Sequence, residues 1–381
     1  MLSGRELFDF YKGKRVLVTG HTGFKGTWLS RILFLAGAEV CGYSLEPPTN
    51  PCLFDLAGLN EKAGLHSVIG DIRDFDKLKQ TFENFQPEIV FHLAAQPIVR
   101  MSYKEPRYTY ETNVMGTVNV LECVRMTPSV RSFLNVTTDK VYHNNEWVWG
   151  YREDEPLDGF DPYSNSKSCS ELVTHSYVNS FFSDMDGQEG RRYLAISTAR
   201  AGNVIGGGDF AADRIIPDAV RAMEAAYRNG QEKAELIVRN PYSTRPYQHV
   251  LEPLAVYLMI AAMQEQNRKY AGYYNVGPDE CDCVTTGALS DLFCNKWNTV
   301  SVEGYKGAFT AGWTDRSEKN APHEANFLKL DCSRLKSVFG WNPRWHIDEC
   351  MQKTVDFSKV WLSGGDIEGE MDKEIKDFFE I

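Results

Sequence analysis

The sequence predicts an α/β protein with a doubly wound parallel sheet and a smaller, interleaved α/β domain after it. Three observations lead to this fold class. Short β-branched runs alternate with stretches of helical periodicity through the first 200 residues, a pattern typical of parallel strands joined by crossover helices. A glycine-rich turn follows the first run. After Gly202 the alternation gives way to glycine-rich and isolated segments.

The first unit consists of a strand, a helix and a second strand. Residues 14–19 are a β-branched run, residues 24–36 carry apolar side chains at every third or fourth position, and residues 39–44 form the next run. A strand, a helix and a parallel strand in this order close a right-handed βαβ unit.

The same alternation continues along the chain. The further predicted strands are residues 67–70, 89–93, 133–137 and 194–198, and the further predicted helices are residues 75–85, 112–125 and 164–182. A parallel sheet is covered by helices on both faces, so its ligands bind beyond the carboxyl ends of the strands. We therefore expect the functional residues to lie at that edge.

We expect two domains. Residues 1–200 form a Rossmann-type α/β domain, on which residues 245–272 pack back, and residues 201–381 mainly form a second, smaller domain. The charged segment 364–381 is expected to be a solvated end of the chain.

The composition excludes several classes of protein. Hydrophobic residues make up 43% of the 381 residues, which is enough for large cores and excludes a disordered chain. The 41 basic and 52 acidic residues give a net charge of -11, which disfavours a nucleic-acid partner. A small phosphorylated ligand held by local arginines remains compatible with this charge.

Cysteine usage and hydropathy indicate a cytoplasmic protein. The nine cysteines are scattered and include no CxxC pair, so we expect buried thiols, no disulfide framework and no metal site. The longest apolar run, residues 254–263, is shorter than the ~18 residues of a membrane span. No membrane partner is expected.

Gly20, Gly23 and Gly26 form a GxxGxxG turn between the first strand and the first helix. Without side chains, the backbone N–H groups and the helix N-terminus can approach a pyrophosphate. The spacing is similar to that of short-chain dehydrogenases, and the strands and helix around it favour a nicotinamide dinucleotide over a purely structural turn. We expect cofactor contacts from Gly20, His21, Thr22, Gly23, Phe24, Lys25 and Gly26.

Segments after the third and fourth strands fit the same ligand. Asp71 and Ile72 follow the third strand, where a carboxylate can accept the adenine amino group, although a strand-end turn explains them almost as well. Small alanines after the fourth strand leave room for a ribose. The further cofactor contacts expected are Leu93, Ala94, Ala95, Gln96 and, on the fifth strand, Thr137.

The second strand ends in Gly42, Tyr43, Ser44 and Leu45. This end carries neither an acidic residue for a ribose 2′-OH nor an Arg for a 2′-phosphate. The missing Arg favours NAD over NADP, and Lys25 is the one residue that would reverse this preference.

Tyr163 and Lys167 are four residues apart at the predicted start of a helix, so they share one of its faces. An ammonium beside the phenol, together with a positive nicotinamide ring, is expected to lower the tyrosine pKa from about 10 toward neutrality. Tyr163 then becomes a usable base, and both residues contact the cofactor. Thr138, at the end of the fifth strand, supplies a hydroxyl that would bind the substrate hydroxyl.

Asp139 and Lys140 directly follow Thr138. A turn Asp and a solvated Lys are the ordinary explanation for each residue alone, but their place at the carboxyl end of a core strand favours catalysis. A simple dehydrogenase needs no such pair, so an extra proton transfer is indicated. We expect burial to favour a neutral Lys140 and a protonated Asp139, and strand geometry to oppose a tight ion pair.

These motifs together resemble the nucleotide-sugar 4,6-dehydratases of the extended short-chain dehydrogenase/reductase group. That family commonly has Thr-Asp-Glu where this chain has Thr138, Asp139 and Lys140, and the Thr-Asp-Lys variant resembles the members that act on CDP-glucose. The resemblance runs nearly end to end, through TGHTGFKG at 19–26, ARAGNVIGGGD at 199–209, RPYQHVLEPL at 245–254, HEANFLKLD at 323–331 and GWNPRW at 340–345.

The resemblance implies a lyase of deoxysugar biosynthesis for cell-surface polysaccharides, with NAD as an internal hydride carrier. Tyr163 would remove the C4 hydroxyl proton as hydride leaves C4, Lys140 would take the C5 proton, and Asp139 would protonate the departing C6 hydroxyl. Hydride would then return to C6. CDP-D-glucose would become CDP-4-dehydro-6-deoxy-D-glucose, and the choice of cytosine rests on the resemblance alone.

Arginines in the second half of the chain fit the two phosphates of such a substrate, because the planar guanidinium pairs with phosphate bidentately. The resemblance places Arg245 at the diphosphate and Asn203 and Arg214 in the cleft, with Arg239 and His323 as further candidates. For any one of these arginines, a solvated surface charge explains its presence about as well as phosphate binding does.

Two alternatives stay open at this point. The nearest is a related nucleotide-sugar enzyme, either an epimerase or a dehydratase using another nucleotide. The other is a non-catalytic module that binds a dinucleotide and reports redox state to a partner, which would not need Thr138, Tyr163 or Lys167. The resemblance also implies a homodimer or homotetramer in which helices 112–125 and 164–182 pack against a second copy.

Overall fold

The computed structural model of the chain describes residues 2–182, 193–317 and 328–381. Its centre is a seven-stranded, all-parallel sheet with the strand order β10-β6-β5-β4-β1-β2-β3. This confirms the predicted doubly wound sheet. Its strands are β1 Arg15–Thr19, β2 Glu39–Ser44, β3 Leu65–Ile69, β4 Ile89–His92, β5 Ser132–Thr138, β6 Ala195–Ala201 and β10 Tyr273–Val276.

Two small sheets lie outside the large one. One has the order β11-β9-β7 and the other pairs β12 with β8. Their strands are β7 Asn203–Ile205, β8 Lys233–Val238, β9 Thr244–His249, β11 Cys283–Thr285 and β12 Thr310–Asp315.

Helices cover both faces of the large sheet, and three of them pack on the strands β8 and β12. In chain order they are α1 Gly4–Tyr11, α2 Phe24–Leu35, α3 Leu53–Leu56, α4 Phe75–Phe85, α5 Val99–Lys104, α6 Pro106–Tyr110, α7 Gly116–Met126, α8 Pro162–Tyr177, α9 Ile215–Asn229, α10 Leu251–Gln266, α11 Thr286–Thr299, α12 Ser333–Phe339, α13 Ile347–Leu362 and α14 Ile367–Phe379. Single π-helical turns at Glu111–Met115 and Val178–Phe182 extend α7 and α8. Within the described residues, no helix is both long and apolar enough to cross a membrane.

Three large apolar cores and a small fourth one, around Tyr142 and Tyr151, organise these elements. One face of the large sheet packs on α2 and α10, with α14 in the same core, and the other face packs on α4, α7 and α8. The third core joins β8 and β12 to α9, α11 and α13. Helix α10 is buried on nearly all sides, which explains why its sequence is apolar without helical periodicity.

The C-terminal segment is not the solvated end that its charge suggested. It forms α14, whose residues Ile367, Met371, Ile375 and Phe378 are at most 5% exposed and belong to the core that contains α2 and α10. These side chains recur every three or four residues, so they form one apolar stripe while the charged residues face outward. The high fraction of charged residues concealed this stripe.

The cysteines also differ in part from expectation. All nine are free thiols and six are buried, but Cys169 and Cys283 are half-buried and Cys281 is exposed. Cys281 lies in a 3₁₀ turn at Glu280–Asp282. The expectation of buried thiols is therefore wrong for this turn.

Candidate active site

The predicted site residues meet at the carboxyl edge of the large sheet. Strands β1, β4, β5 and β6 are neighbours there, so the segments that follow them converge. The glycine turn follows β1, Thr138 ends β5, and Gly202 follows β6.

The glycine turn leaves room for backbone only. Gly20 has a φ of 80°, and a Cβ on it would lie 2.9 Å from the Ala94 nitrogen. A Cβ on Gly26 would lie 2.0 Å from the Gly20 carbonyl oxygen. These close approaches bring the N-terminus of α2 onto the end of β1, so free N–H groups point into a cradle that fits a pyrophosphate.

The side chains of His21 and Thr22 turn away from this cradle. The His21 ring is fully buried against Gly42, with Nε2 2.7 Å from the Ser67 hydroxyl, and burial lowers its pKa to about 4. The Thr22 hydroxyl lies 2.7 Å from the Ser44 hydroxyl at the end of β2. Any cofactor contact from His21 or Thr22 must therefore come chiefly from the backbone.

The segment after β4 is held by side-chain hydrogen bonds. The Leu93 and Ala94 nitrogens donate to the Thr19 hydroxyl over 3.2 and 3.1 Å. The Gln96 side chain is buried and donates to Thr109 over 2.9 Å, and its own backbone nitrogen donates to Asn113. Gln96 thus shapes this loop and its amide is already engaged.

After β3, the carboxylate of Asp71 pairs with Arg73, with 2.6 Å between Oδ2 and Nη2. The Ile72 side chain is buried, and a Cβ on Gly116 would lie 2.4 Å from its Cδ1. Asp71 stands at the sheet edge as predicted, but its side chain already has a cationic partner.

Tyr163 lies in the first turn of α8. Asp161 caps this helix by accepting from the Ser164 nitrogen, and Pro162 occupies its first position. Tyr163 forms a side-chain hydrogen bond with Thr138. The predicted pair of Tyr163 and Thr138 is thus brought together across β5 and α8.

The pKa of Tyr163 differs from the expected direction. Burial raises it to about 12, outweighing the hydrogen bond with Thr138, which lowers it, while the charge of Asp139 raises it further. Desolvation of the phenolate therefore exceeds the local stabilisation. The expected lowering included a positive nicotinamide ring, so it stays a prediction for the cofactor-loaded site.

Lys167 is buried at 5% exposure and fixed in place, with Nζ donating to the Val136 carbonyl over 3.0 Å. Burial lowers its pKa to about 8, and the negative charge of Glu171 opposes this shift. Glu171 is one turn further along α8, so Tyr163, Lys167 and Glu171 follow one face of the helix.

Glu171 and Arg200 form a buried ion pair that sequence reasoning missed. Arg200, on β6, donates from Nε and Nη2 to the Glu171 carboxylate over 2.6–3.0 Å, and the Thr137 hydroxyl also donates to it, over 2.5 Å. Thr137 therefore turns beneath α8, and its side chain does not face the cofactor cradle. The four-residue spacing from Lys167 was the available signal for Glu171; nothing local marks Arg200.

Asp139 and Lys140 adopt a 3₁₀ turn, Asp139–Val141, and not an extended strand end. Asp139 is 1% exposed; its Oδ1 accepts from the Thr138 hydroxyl over 2.9 Å, while Oδ2 has no partner among the described residues. A Cβ on Gly202 would lie 3.3 Å from that oxygen.

Lys140 is only half-buried, so the expected burial holds for Asp139 alone. Among the described residues these two side chains form no ion pair, but the expectation of this rested on an extended strand end, whereas the structure has a 3₁₀ turn there. The pair therefore offers one buried carboxyl and one accessible amine beside the Thr138 hydroxyl.

The charges that act on Lys25 belong to the catalytic side of the cradle and not to the end of β2, where the choice between NAD and NADP would be made. Burial lowers the pKa of Lys25 to about 8. The charged groups that act on it are Arg214, Lys167, Asp139 and Asp209. Lys25 thus belongs to the charged centre of the site.

Two of the candidate arginines form ion pairs with nearby carboxylates. Arg214 pairs with Asp209 at 3.2 Å and acts electrostatically on Tyr163. Arg239 pairs with Asp213 at 3.1 Å, and Arg100 of α5 approaches the same carboxylate at 3.7 Å.

Arg245 is 6% exposed on β9 and donates to the Thr244 carbonyl over 2.9 Å. Asn203 is half-buried on β7, in register with Tyr247 on β9. Arg245 and Asn203 thus lie in the same small sheet, whereas His323 lies outside the described residues.

Known proteins resemble this chain over almost its whole length. The profile of the family described as GDP-mannose 4,6 dehydratase matches residues 17–354. The CDP-glucose 4,6-dehydratase of Salmonella typhimurium is 47% identical over 371 residues, which covers 97% of this chain and 97% of that protein.

Solved structures share the fold at lower identity. The UDP-glucuronic acid 4-epimerase of Bacillus cereus, determined with its substrate and NAD, has a TM-score of 0.72 at 20% identity and covers 91% of this chain and 99% of its own. The dTDP-glucose 4,6-dehydratase of Bacillus anthracis, determined with NAD, has a TM-score of 0.69 at 18% identity, with 91% and 96% covered. These likenesses support the fold.

Proposed function

The chain belongs to the GDP-mannose 4,6-dehydratase family, and from this premise we propose that it converts CDP-D-glucose to CDP-4-dehydro-6-deoxy-D-glucose. The observation that carries the proposal is the buried Asp139 beside the accessible Lys140, next to the Thr138–Tyr163 hydrogen bond. Asp139 and Lys140 would supply the acid and the base for elimination, and Tyr163, beside Thr138, would supply the proton acceptor for oxidation.

NAD is the cofactor that we propose. It would take up a hydride from C4 of the sugar and give it back at C6. The glycine cradle would hold its pyrophosphate on the N-terminus of α2, and Lys167 would lie beside its ribose. The hydroxyls of Thr22 and Ser44, rather than an Arg, mark the end of β2, which supports NAD over NADP.

Tyr163 is proposed to accept the C4 hydroxyl proton, with Thr138 holding the substrate oxygen. Its pKa of about 12 in the protein alone is too high for a base at neutral pH. A positive nicotinamide ring next to the phenol would lower it, as would the Lys167 ammonium. Proton abstraction is therefore expected to depend on a loaded cofactor site.

Lys140 is proposed to take the C5 proton once C4 is a ketone, because the carbonyl acidifies that hydrogen. Asp139 would then deliver a proton to the leaving C6 hydroxyl. Asp139 is 1% exposed, and its Oδ2 has no hydrogen-bond partner among the described residues, so this oxygen is left to contact the substrate. The elimination releases one water and leaves the nucleotide intact.

The substrate class rests on the relatives and on the arginines. The relative that is 47% identical is a CDP-glucose 4,6-dehydratase. We propose that Arg245 and Arg214 bind the diphosphate, with Asn203, Arg239 and His323 as further contacts. Two guanidinium groups suit two linked phosphates, because each can pair with phosphate oxygens bidentately.

We further propose that residues 1–200 with 245–272 form the cofactor domain and that residues 201–381 mainly form the substrate domain. The chain is proposed to work in the cytoplasm in deoxysugar synthesis.

A homodimer or homotetramer is proposed because α7, α8 and their π-helical turns present exposed apolar side chains. Met115 and Leu172 are 53% and 54% exposed, and Phe181 is 49% exposed. Sedimentation as a monomer would contradict the assembly.

The test of the proposed function is incubation with CDP-glucose, UDP-glucose, dTDP-glucose and GDP-mannose, followed by mass spectrometry. We expect loss of one water from CDP-glucose. Loss of water from a different sugar nucleotide instead would contradict the nucleotide assignment, and a product of unchanged mass that chromatography separates from the substrate would indicate an epimerase. The absence of turnover on all four would favour a non-catalytic dinucleotide-binding module.

The residue test is Lys140→Ala. We expect this variant to oxidise C4, because Tyr163 and Thr138 are unchanged, but to lose dehydration. The measurement is reduced nicotinamide absorbance in a single turnover together with product mass. Normal product formation would show that Lys140 is not the C5 base.

A further inference from the structure

Three metal-ligating side chains of different chemistry meet away from the candidate active site. Cys281 and Asp282 belong to the 3₁₀ turn before β11, and His346 is the residue that precedes α13. Their donor atoms, Sγ, a carboxylate oxygen and Nδ1, all lie within 4.8 Å of one another. Among the described residues no other group of three or more such side chains has this geometry.

The separations suit a tetrahedral ion. Nδ1 of His346 lies 2.9 Å from Oδ2 of Asp282 and 3.8 Å from Sγ of Cys281. Around tetrahedral zinc, bond lengths near 2.0 Å for nitrogen or oxygen and 2.3 Å for sulfur separate such donors by about 3.3–3.5 Å. Movements of a few tenths of an ångström would bring all three donors into the coordination sphere.

The protein holds one ligand rigidly and leaves the others adjustable. Asp282 is 2% exposed, and its other carboxylate oxygen accepts from the Ile347 nitrogen over 2.9 Å. Cys281 is exposed and the His346 side chain is 56% exposed. This hydrogen bond to the carboxylate is the supporting interaction that metal ligands usually have, and the exposed side leaves space for a water as the fourth ligand.

The neighbouring carboxylates do not compete for the position. Asp279 pairs with Lys336, and Glu280 pairs with Lys329. The two charges that remain to face a divalent cation are the Asp282 carboxylate and a Cys281 thiolate, which together balance it. A thiolate, an imidazole and a carboxylate are ligands that zinc accepts.

We propose that Cys281, Asp282 and His346 bind one Zn²⁺, with water completing the tetrahedron. Binding forms Zn–S, Zn–N and Zn–O bonds and releases the Cys281 thiol proton to solvent. The ion would link the turn before β11 to the start of α13. Because Val284 of β11 pairs with Arg245 of β9, this link would stiffen a strand next to the proposed diphosphate site.

The chain offers matched controls. Cys283 is two residues from Cys281, but its thiol lies 3.8 Å from the Asp279 carbonyl and is not part of the cluster. His143 is a second exposed histidine beside a carboxylate, 3.0 Å from Asp158, without a cysteine. Cys283→Ser and His143→Gln therefore remove the same groups as Cys281→Ser and His346→Gln.

The experiment titrates the purified, metal-free full chain with Co²⁺ and follows the thiolate-to-cobalt charge-transfer absorption, then displaces Co²⁺ with Zn²⁺. We expect one equivalent to bind, with affinity at least about tenfold weaker in Cys281→Ser and His346→Gln and unchanged in both controls. Zn²⁺ should raise the melting temperature of the wild type but not of Cys281→Ser. No charge-transfer band, or a band that survives Cys281→Ser, would overturn the proposal.

Discussion

Two clusters of buried ionisable side chains differ in how their hydrogen bonds are satisfied. In the catalytic-helix cluster, the Glu171 carboxylate receives hydrogen bonds from Arg200 and Thr137, and Arg200 Nη1 also donates to Tyr142 over 2.7 Å. The Tyr142 hydroxyl in turn donates to Asn275 over 2.6 Å. The charges balance within the cluster.

The C-terminal cluster, Glu374 of α14 and His249 at the end of β9, lies where α13 packs against both elements. Neither carboxylate oxygen of Glu374 has a hydrogen-bond partner among the described residues, although His249 Nε2 is 3.5 Å from one of them. Burial raises the pKa of Glu374 well above its usual value and lowers that of His249 to about 3. Both groups are therefore held neutral.

The difference shows two ways of burying polar groups. The first cluster keeps its charges because each has an opposite partner, and it fixes α8 against β5 and β6 beneath Lys167. The second cluster holds its groups in their neutral forms, so Glu374 must keep a proton at neutral pH that a solvent-exposed carboxyl group would lose. The first is expected to be sensitive to loss of a partner, and the second to pH.

The largest effect is expected for Arg200→Met, which leaves the Glu171 carboxylate buried without its cation. Breaking a buried ion pair costs about 3–5 kcal/mol. Urea denaturation should show this loss of unfolding free energy. The double variant Arg200→Met with Glu171→Leu should recover a large part of the lost unfolding free energy. If the single variant Arg200→Met and the double variant were equally stable, the charge-pairing role would be contradicted.

Glu252→Gln should remove a pH dependence of stability. Burial raises the pKa of Glu252 from 4.5 to about 7, opposed by hydrogen bonds from the Trp345 and Arg344 nitrogens. The folded state thus keeps a proton that the unfolded state has lost above pH 4.5, so stability falls as pH rises through this window, by an amount on the order of 3 kcal/mol.

In the Gln variant the side chain can still accept both backbone N–H groups. Urea unfolding free energies measured from pH 5 to about 7.5 should therefore decline less steeply than in the wild type. An unchanged slope would show that Glu252 is not the group that titrates.

Glu171→Gln should move the pH profile of turnover. The Glu171 charge raises the pKa of Lys167 against the effect of burial, so its removal lowers that pKa below about 8. Lys167 is proposed to act as an ammonium, so the alkaline limb of kcat should shift to lower pH, by on the order of one unit. Glu252→Gln is the control, because it removes a buried carboxylate away from Lys167. Equal shifts in both variants would exclude a specific role for Glu171.

The smallest effect is expected for Glu374→Met. This change replaces a carboxyl group without hydrogen bonds by an apolar side chain of similar volume, so stability at pH 7 should stay unchanged or rise by about 1 kcal/mol. Thermal unfolding would measure it. A loss of stability like that of Arg200→Met would show that Glu374 makes interactions that its geometry does not indicate.

Periodicity and spacing predicted the local features of this molecule well. The helix at 75–85 and the strand at 39–44 have the predicted bounds, because their apolar patterns depend only on neighbours in sequence. The pairing of Tyr163 with Thr138 also followed from position, since parallel strands end at a common edge.

Features that depend on distant residues were not predictable in the same way. Arg200 is 29 residues from Glu171, and only the packing of α8 on the sheet makes them partners. Burial raises the pKa of Tyr163, and this solvent exclusion is a property of the whole fold. The charges around Lys25 likewise come from both halves of the chain.

The seventh strand of the large sheet has a consequence for biosynthesis. β10 begins at Tyr273 and pairs with β6, although the chain between them forms α9, α10 and three strands of the small sheets. During translation, the outer edge of β6 thus remains unpaired until residue 276 has left the ribosome. Open strand edges promote aggregation, so a ribosome that stalls before β10 would release a chain with an exposed, incomplete sheet.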